Sequence, residues 1–310
     1  MIDRTEEEIM KNWVGDVSAP MVSVRCITYN HEPYIAQALD GFLMQRTRFP
    51  FEVIVHDDAS PDKTANIIRE YEKRFPNIIK PIYQTENQYS KRDGSIGRIM
   101  NAACKGKYIA MCEGDDYWID ENKLQMQVDF LENNPEYTMC FHGADFEVIG
   151  AHDVSNKLQC IEDRDYSATE IFKNWTIPTA SVVYKKEILD YPIKNSDRIM
   201  FGDIVLFEKC AHLGKIRAFS KKMSVYRIHN QGVSHDKTLI NKRRLGFPKH
   251  YECIYENFPK IERDVILKKI LRSYFVCLIY CGNFVTKINY LKNIFKFSFK
   301  LIFFKRKNGR

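Results

Sequence analysis

Tyr108-Ile-Ala-Met-Cys-Glu-Gly-Asp-Asp-Tyr-Trp118 runs from an apolar segment of strand character straight into three carboxylates around one glycine. Carboxylate oxygens are the hard ligands that Mg2+ and Mn2+ prefer, and Mg2+ is usually held by one or two protein carboxylates with phosphate oxygens completing its shell. Glu113, Asp115 and Asp116 therefore read as one side of a metal-nucleotide site. Taken alone, the cluster is also explained as a loop start that caps the next helix. Its neighbours decide between the two.

Working outward, strand and helix patterns alternate from about residue 20 to 150. Val22 to Thr28 predicts a strand, Pro33 to Gln45 a helix, and Phe51 to His56 a second strand. Ser60-Pro61-Asp62-Lys63-Thr64 reads as a helix start, with Ser60 as N-cap and Pro61 in the first turn. A strand over Ile79–Gln84, a helix over Gly97–Ala103, a strand over Lys107–Cys112 and a helix over Asn122–Glu132 complete the series. Such alternation predicts an α/β fold with a mostly parallel, Rossmann-like sheet and helices on both faces. Ligands of these sheets bind beyond the carboxyl ends of the strands. Two further polar clusters fall there: Thr28-Tyr29-Asn30-His31-Glu32 after the first strand and His56-Asp57-Asp58-Ala59-Ser60 after the second.

Composition narrows the class. The 310 residues carry a net charge of +7, but residues 287–310 hold eight basic side chains and no acidic one. The rest is close to neutral, which excludes a folded domain with a general nucleic-acid-binding surface, so no nucleic acid is expected as a partner. Nine scattered cysteines without a C-x-x-C pair point to buried thiols in a reducing compartment. The acidic start, Met1-Ile-Asp-Arg-Thr-Glu-Glu-Glu, lacks the basic and apolar run of a signal peptide, which predicts a cytoplasmic catalytic body.

The ordered set Val22-Ser-Val-Arg-Cys-Ile-Thr-Tyr-Asn30, Val53-Ile-Val-His-Asp-Asp-Ala-Ser60, Gly106 to Asp116, Phe201-Gly-Asp-Ile-Val-Leu206 and Tyr226-Arg-Ile-His229 resembles family 2 of the glycosyltransferases. The resemblance covers about residues 20–235 and implies a GT-A fold, a nucleotide-sugar donor and an inverting, metal-dependent transfer. It implies a donor side formed by Thr28, Tyr29 and Asn30, with Tyr29 near the base, Asp58 on the uracil edge and Asp57 beside it. Glu113-Gly114-Asp115 falls at the D-x-D place, with Asp115 on Mn2+ or Mg2+; the family more often has Asp where Glu113 stands. Asp116 stands behind them or satisfies backbone N–H groups. Arg98 and Asn101 lie in the segment that approaches the donor, at a spacing that departs from the commonest pattern. Trp118, Thr179 and Ser181 fall on the acceptor side.

Downstream, Asp203 matches the catalytic base, and the bland alternative is a helix-capping aspartate. An acceptor hydroxyl needs such a base, since it is a weak nucleophile until its proton is removed. Arg227 matches a phosphate neighbour, the bland alternative being a pair with a surface carboxylate, and His229 matches a metal or phosphate ligand. The Asn230–His235 segment reads as a loop over the donor. The acceptor is a saccharide or a lipid-linked hydroxyl, in cell-surface polysaccharide or glycolipid synthesis. The alternatives are a catalytically silent nucleotide-sugar binder docked on a membrane and a sugar nucleotidyltransferase, whose glycine-rich phosphate loop is missing from this sequence.

The organisation expected is an N-terminal extension (1–19), a catalytic domain (20–235, a nucleotide-sugar half to 120 and an acceptor half from 121) and a helical C-terminal region (236–310). Leu267 to Thr286 is apolar, but its uncharged run covers only 14 residues, Ser273 to Thr286. That is short of the roughly 20 needed to span a bilayer. Residues 287–310 interleave lysines with Phe295, Phe297, Phe299, Leu301, Phe303 and Phe304 at helical spacing. The pattern fits a helix packed on the domain with a solvated lysine face; it fits better a helix lying in an anionic membrane surface, on the cytoplasmic side.

Overall fold

The computed structural model describes residues 2–150, 160–174, 177–229 and 237–307, the side chains of 237–243 excepted. The chain divides into two compact units, one of Met1–Tyr166, Thr176–Asp190 and Gly214–Ile228, the other of Ser167–Trp175, Tyr191–Leu213 and His229–Arg310.

The first unit is built on an eight-stranded sheet. Its strands are β1 (Val22–Thr28), β2 (Phe51–Asp57), β3 (Ile79–Tyr83), β4 (Tyr108–Met111), β5 (Tyr117–Trp118), β6 (Tyr137–Val148), β7 (Val183–Lys185) and β8 (Lys215–Ile228), in the order β3-β2-β1-β4-β7-β6-β8-β5. β3, β2, β1 and β4 run parallel, as does the β6–β8 pair, whereas β7 is antiparallel to both neighbours and β5 to β8. The α/β class and the mostly parallel sheet are as expected. The long β6 and β8 lie in the region where sequence periodicity is weakest.

Alternation along β1 sorts its side chains between two faces. Val22, Val24 and Cys26 enter the main core with Ile35, Ala38, Leu39 and Phe42 of α2 (Ile35–Leu43), Ile68 and Tyr71 of α3 (Thr64–Arg74), and Leu124 and Val128 of α5 (Lys123–Asn133). Ser23, Arg25 and Ile27 take the other face, which α4 (Ser95–Ala103) covers with a single buried residue, Met100. The short α1 (Glu6–Met10) opens with a capping box between Thr5 and Glu8. Its buried Glu6 accepts the N–H groups of Asn77 and Ile78 at 2.7 and 3.0 Å, tying the chain start to the entry of β3.

The second unit is helical: α6 (Ala168–Asn174), α7 (Gly202–Leu213), α8 (Lys237–Asn257), α9 (Arg263–Tyr280) and α10 (Phe284–Lys307). Among the described residues no helix is long and apolar enough to cross a membrane, and no disulfide forms; seven of the nine cysteines are buried.

One local expectation is overturned. Ser60 does not cap α3, which begins at Thr64 after Lys63. The Ser60 hydroxyl instead accepts the Asn30 N–H at 3.0 Å, so it is spent on joining two strand-end turns. Asp62 takes over the cap, accepting from Thr64 N–H at 3.0 Å.

Candidate active site

β2 and β3 extend the sheet on one side of β1 and β4 lies on the other, so the topological switch point falls between β1 and β4. A crevice for ligands opens at the carboxyl end of such a switch point. Here the Gly114 N–H donates to Ile27 O and the Asp58 N–H to Thr28 O, both at 3.0 Å. A Cβ at Gly114 would come within 2.8 Å of the Thr28 side chain, so only glycine lets the acidic turn rest on the end of β1. These contacts gather Thr28, Asp57, Asp58 and the 113–116 turn in one place.

The turn after β1 is locked to the turn after β2. Asn30 adopts a left-handed φ of 57°. His31 N–H donates to Thr64 Oγ1 at 3.0 Å and Glu32 N–H to Asp62 Oδ2 at 3.1 Å, while Lys63 N–H returns to Glu32 Oε2 at 3.1 Å. Tyr29 stands 43% exposed at this corner, its ring open to a planar ligand.

The carboxylates have different employment. Asp57 accepts the Ser60 N–H through Oδ2 at 3.3 Å, but its buried Oδ1 has no partner, and neither has the buried Thr28 Oγ1. Asp58 is buried and accepts the N–H groups of Gln88 and Tyr89 on its two oxygens, at 2.7 and 3.0 Å. Its carboxylate therefore holds the 87–89 turn rather than standing open to a base. Asp116 is buried too and accepts the Arg227 N–H at 2.8 Å. Burial, with the charge of Asp115 next to it, pushes the Asp116 carboxyl well above the usual range. Asp115 is partly exposed, with Oδ2 3.7 Å from His31 Nε2. Glu113 is half-buried beside it.

Arg227 takes the carboxylate pairing that the sequence left open beside a phosphate role. Its guanidinium donates to the Asp115 carbonyl at 2.9 Å, to Glu147 at 2.9 Å and to Gln37, and it lies over the Tyr117 ring at 4.3 Å. A side chain so engaged braces the acidic turn, with three of its five N–H donors committed within the chain. Arg98 is likewise turned to its own helix start, pairing with Asp93 at 3.4 Å. Trp118 and Ser181 are enclosed: Trp118 Nε1 donates to Ala180 O at 2.8 Å and Ser181 Oγ to Pro178 O at 2.6 Å. Of the three acceptor-side candidates only Thr179 stays half-exposed. His229 is buried immediately after β8; the segment 230–235 after it lies outside the described residues.

In the second unit, Asp203 occupies the first turn of α7, with its Oδ1 accepting the Ile204 N–H at 2.9 Å. Burial raises its carboxyl above the ordinary value.

Besides Asn101 of α4, already a donor-side candidate, two side chains with buried polar atoms went unnoticed in the sequence, Arg25 and His56. Arg25 Nε, His56 Nδ1 and Asn101 Oδ1 are all buried and lack hydrogen-bond partners. Arg25 and His56 occupy one sheet face, since Arg25 pairs in register with Ile54 and Ile27 with His56. The available signal was a charged and an imidazole side chain inside otherwise apolar strands.

Among the described residues no three His, Cys, Asp or Glu side chains converge on a common cation position. A cation that draws most of its shell from a diphosphate needs only one or two protein carboxylates. The partly exposed Asp115, with the unpartnered Thr28 Oγ1 and Asp57 Oδ1 at the same strand ends, is an all-oxygen set that fits Mg2+ or Mn2+.

The family profile described as glycosyl transferase family 2 matches residues 23–185. This chain belongs to glycosyltransferase family 2. An uncharacterized protein of Mycobacterium tuberculosis (strain H37Rv) is 41% identical over 224 residues, which cover 69% of this chain and 60% of that protein. The chain thus spans about three fifths of the length of the curated relatives it matches first. The fold is similar to that of S. aureus TarS 1–349 in complex with UDP-GlcNAc, with a TM-score of 0.63 at 17% identity, covering 89% of this chain and 81% of the other. It is also similar to the mannosyltransferase PcManGT from Pyrobaculum calidifontis in complex with GDP-Man and Mn2+, with a TM-score of 0.53 at 14% identity, covering 93% and 85%. The family, the mostly parallel sheet of GT-A type and the helical C-terminal extension are therefore as the motifs implied.

Proposed function

We propose that this chain is a metal-dependent, inverting glycosyltransferase that moves a hexosyl or N-acetylhexosaminyl group from a UDP-sugar to a hydroxyl of a saccharide or lipid-linked acceptor. The observation that carries the reading is the seating of Gly114 on Thr28 at the switch point, which sets a partly exposed carboxylate beside unpartnered buried oxygens. The similarity to a fold solved with UDP-GlcNAc supports the donor class.

In this reading Asp115 holds Mn2+ or Mg2+ on the donor diphosphate, with Thr28 and Asp57 beside it and His229 near the phosphates. When bound, the cation supplies Lewis-acid stabilisation of the charge that develops on the leaving diphosphate. Tyr29 stacks on the base, Asn30 and the 113–114 backbone line the donor, and Asp58 fixes the turn that closes on it. Asp203 removes the acceptor proton; a carboxyl raised by burial is better matched to that task than one at its ordinary value. In-line displacement by the activated hydroxyl inverts the anomeric carbon. The catalytic unit works on the cytoplasmic face of a membrane, with residues 287–310 towards the lipid.

A screen of nucleotide sugars for Mn2+-dependent release of nucleoside diphosphate tests the reading. One uridine donor should stand out, and Asp115→Ala should lower its metal-stimulated binding and turnover by on the order of 10³-fold. Absence of any nucleotide-sugar binding, or binding indifferent to both Mn2+ and Asp115→Ala, would refute it.

A further inference from the structure

α10 carries two apolar faces. One is turned inward: Ile294 and Phe297 are buried, Phe297 stacks on Tyr274 of α9 with ring centroids 6.2 Å apart, and Tyr290 meets the same ring at 5.7 Å. The other is open. Phe284, Ile288, Leu291, Phe295, Phe299, Ile302 and Phe303 are between 39% and 76% exposed. At 100° per residue these seven fall within an arc of roughly 120°, opposite the packed face. Lys296, Lys300 and Lys307 border the arc on one side and Lys287 and Lys305 on the other, while Lys292 and, in the last turn, Arg306 fall within it and extend long basic side chains from the same face.

The surface does not end with α10. On α9, Phe275 and Ile279 are 54% and 75% exposed one turn apart, and Tyr280 and Val285 flank the 281–283 corner. From residue 265 to the end of the sequence there is no Asp or Glu. Isolated exposed apolar residues are ordinary; a contiguous two-helix set of aromatic and aliphatic side chains rimmed by a single charge sign is an interaction surface.

We propose that the outer faces of α9 and α10, joined at the 281–283 corner, form one docking surface for an anionic lipid bilayer, with the aromatic arc in the acyl boundary and the lysine rims at the headgroups. This deepens the membrane placement above by naming the surface and the lipid charge, and it rests on that reading only for its biological side. Charge decides the occupant. A second copy of this chain would bring one lysine rim against another, and the cost of like charges would oppose the gain from covering the arc. An anionic surface is attracted by the same rims. The helix is also already anchored: with Ile294 and Phe297 buried, it presents its arc as a rigid face and need not fold on contact.

The test is co-sedimentation of the full chain with vesicles of phosphatidylcholine alone and of phosphatidylcholine mixed with phosphatidylglycerol. Binding should require phosphatidylglycerol and weaken steeply with salt. Phe295→Ser with Phe299→Ser should lower vesicle affinity at least tenfold, and so should Lys292→Glu with Lys305→Glu. Both pairs are exposed, so circular dichroism and nucleotide binding should match the parent. Failure of the parent to bind anionic vesicles, or equal binding by all variants, overturns the proposal. So does a concentration-dependent dimer that the phenylalanine variant abolishes while vesicles bind nothing, which would give the face to a second copy. Vesicle binding without nucleotide binding would instead overturn the enzymatic reading and leave this one standing.

Discussion

The acidic strand ends of the first unit and the outer helices of the second break opposite rules. At the strand ends, charge is buried; on α9 and α10, aromatic surface is left in water. In the first case several carboxylate oxygens are matched to a backbone N–H: Asp58 to residues 88 and 89, Asp116 to Arg227, Asp62 to Glu32 and Thr64. In the second, the arc that begins with Phe284, 76% exposed, is left uncovered by the described residues. Buried polar groups that find their partners within the chain are fixed parts of a scaffold, and those that do not are places for a ligand. The informative atoms at the strand ends are therefore few, namely Thr28 Oγ1 and Asp57 Oδ1, whereas on α10 the whole face is informative.

The comparison breaks first at Asp203. If this partly buried carboxylate is the base, Asp203→Asn should lower transfer by about 10²–10⁴-fold while donor affinity holds. Because burial raises its carboxyl, the transfer rate of the parent should rise with pH through a value above the ordinary aspartate range and then level off. A pH–rate profile of kcat checks this. Unchanged turnover in Asp203→Asn would return the residue to a helix-terminal role.

Arg227 sharpens the distinction between scaffold and ligand-facing groups. Its side chain is 3% exposed and bonds Glu147 at 2.9 Å, so Arg227→Ala leaves a buried carboxylate turn without its brace. Urea unfolding should show a loss of about 3–5 kcal/mol. An arginine that acts only on donor phosphates would leave the unfolding midpoint in place and weaken donor binding alone.

The sequence made β1, β2 and β4 legible because each is an apolar run cut off by polar turn residues, and α/β topology then places their ends together. The same reading put Arg227 on the donor, since position along the chain shows that a guanidinium is near the site but not which way its fork points. That direction is set by Gln37, Glu147 and Tyr117, which lie 190, 80 and 110 positions away in sequence. The partners of Asp58 were out of reach for the same reason: the N–H groups it accepts belong to a turn 30 residues later. α10 was readable as amphipathic, yet its lysine-rich pattern fitted a packed helix and a membrane helix alike. Both descriptions hold, one for each face, and only the neighbouring Tyr274 and Tyr255 show which face is covered.

The smallest effect concerns a charge buried with almost no ionic partner. Lys123 is fully buried under the acidic turn, with Nζ 4.0 Å from the centre of the Trp118 ring and 2.9 Å from Gln127 Oε1. Burial pushes its ammonium down to about 7, against roughly 10.4 in an unfolded chain. Between these values the unfolded chain binds more protons than the folded one, so this side chain makes stability rise with pH, by at most about 1.4 kcal/mol per unit. The buried thiols of Cys112 and Cys140 are raised by their own burial and push the opposite way above the ordinary thiol range. The difference between the parent and Lys123→Met isolates the lysine. At pH 7 the variant should be the more stable of the two, and its advantage should shrink steadily as the pH rises towards the unfolded-chain value of roughly 10.4, beyond which the parent's lysine becomes neutral in both states. A parent–variant difference that stays flat from pH 7 to 10 would mean that Lys123 keeps its charge through a partner stronger than one amide and one indole face.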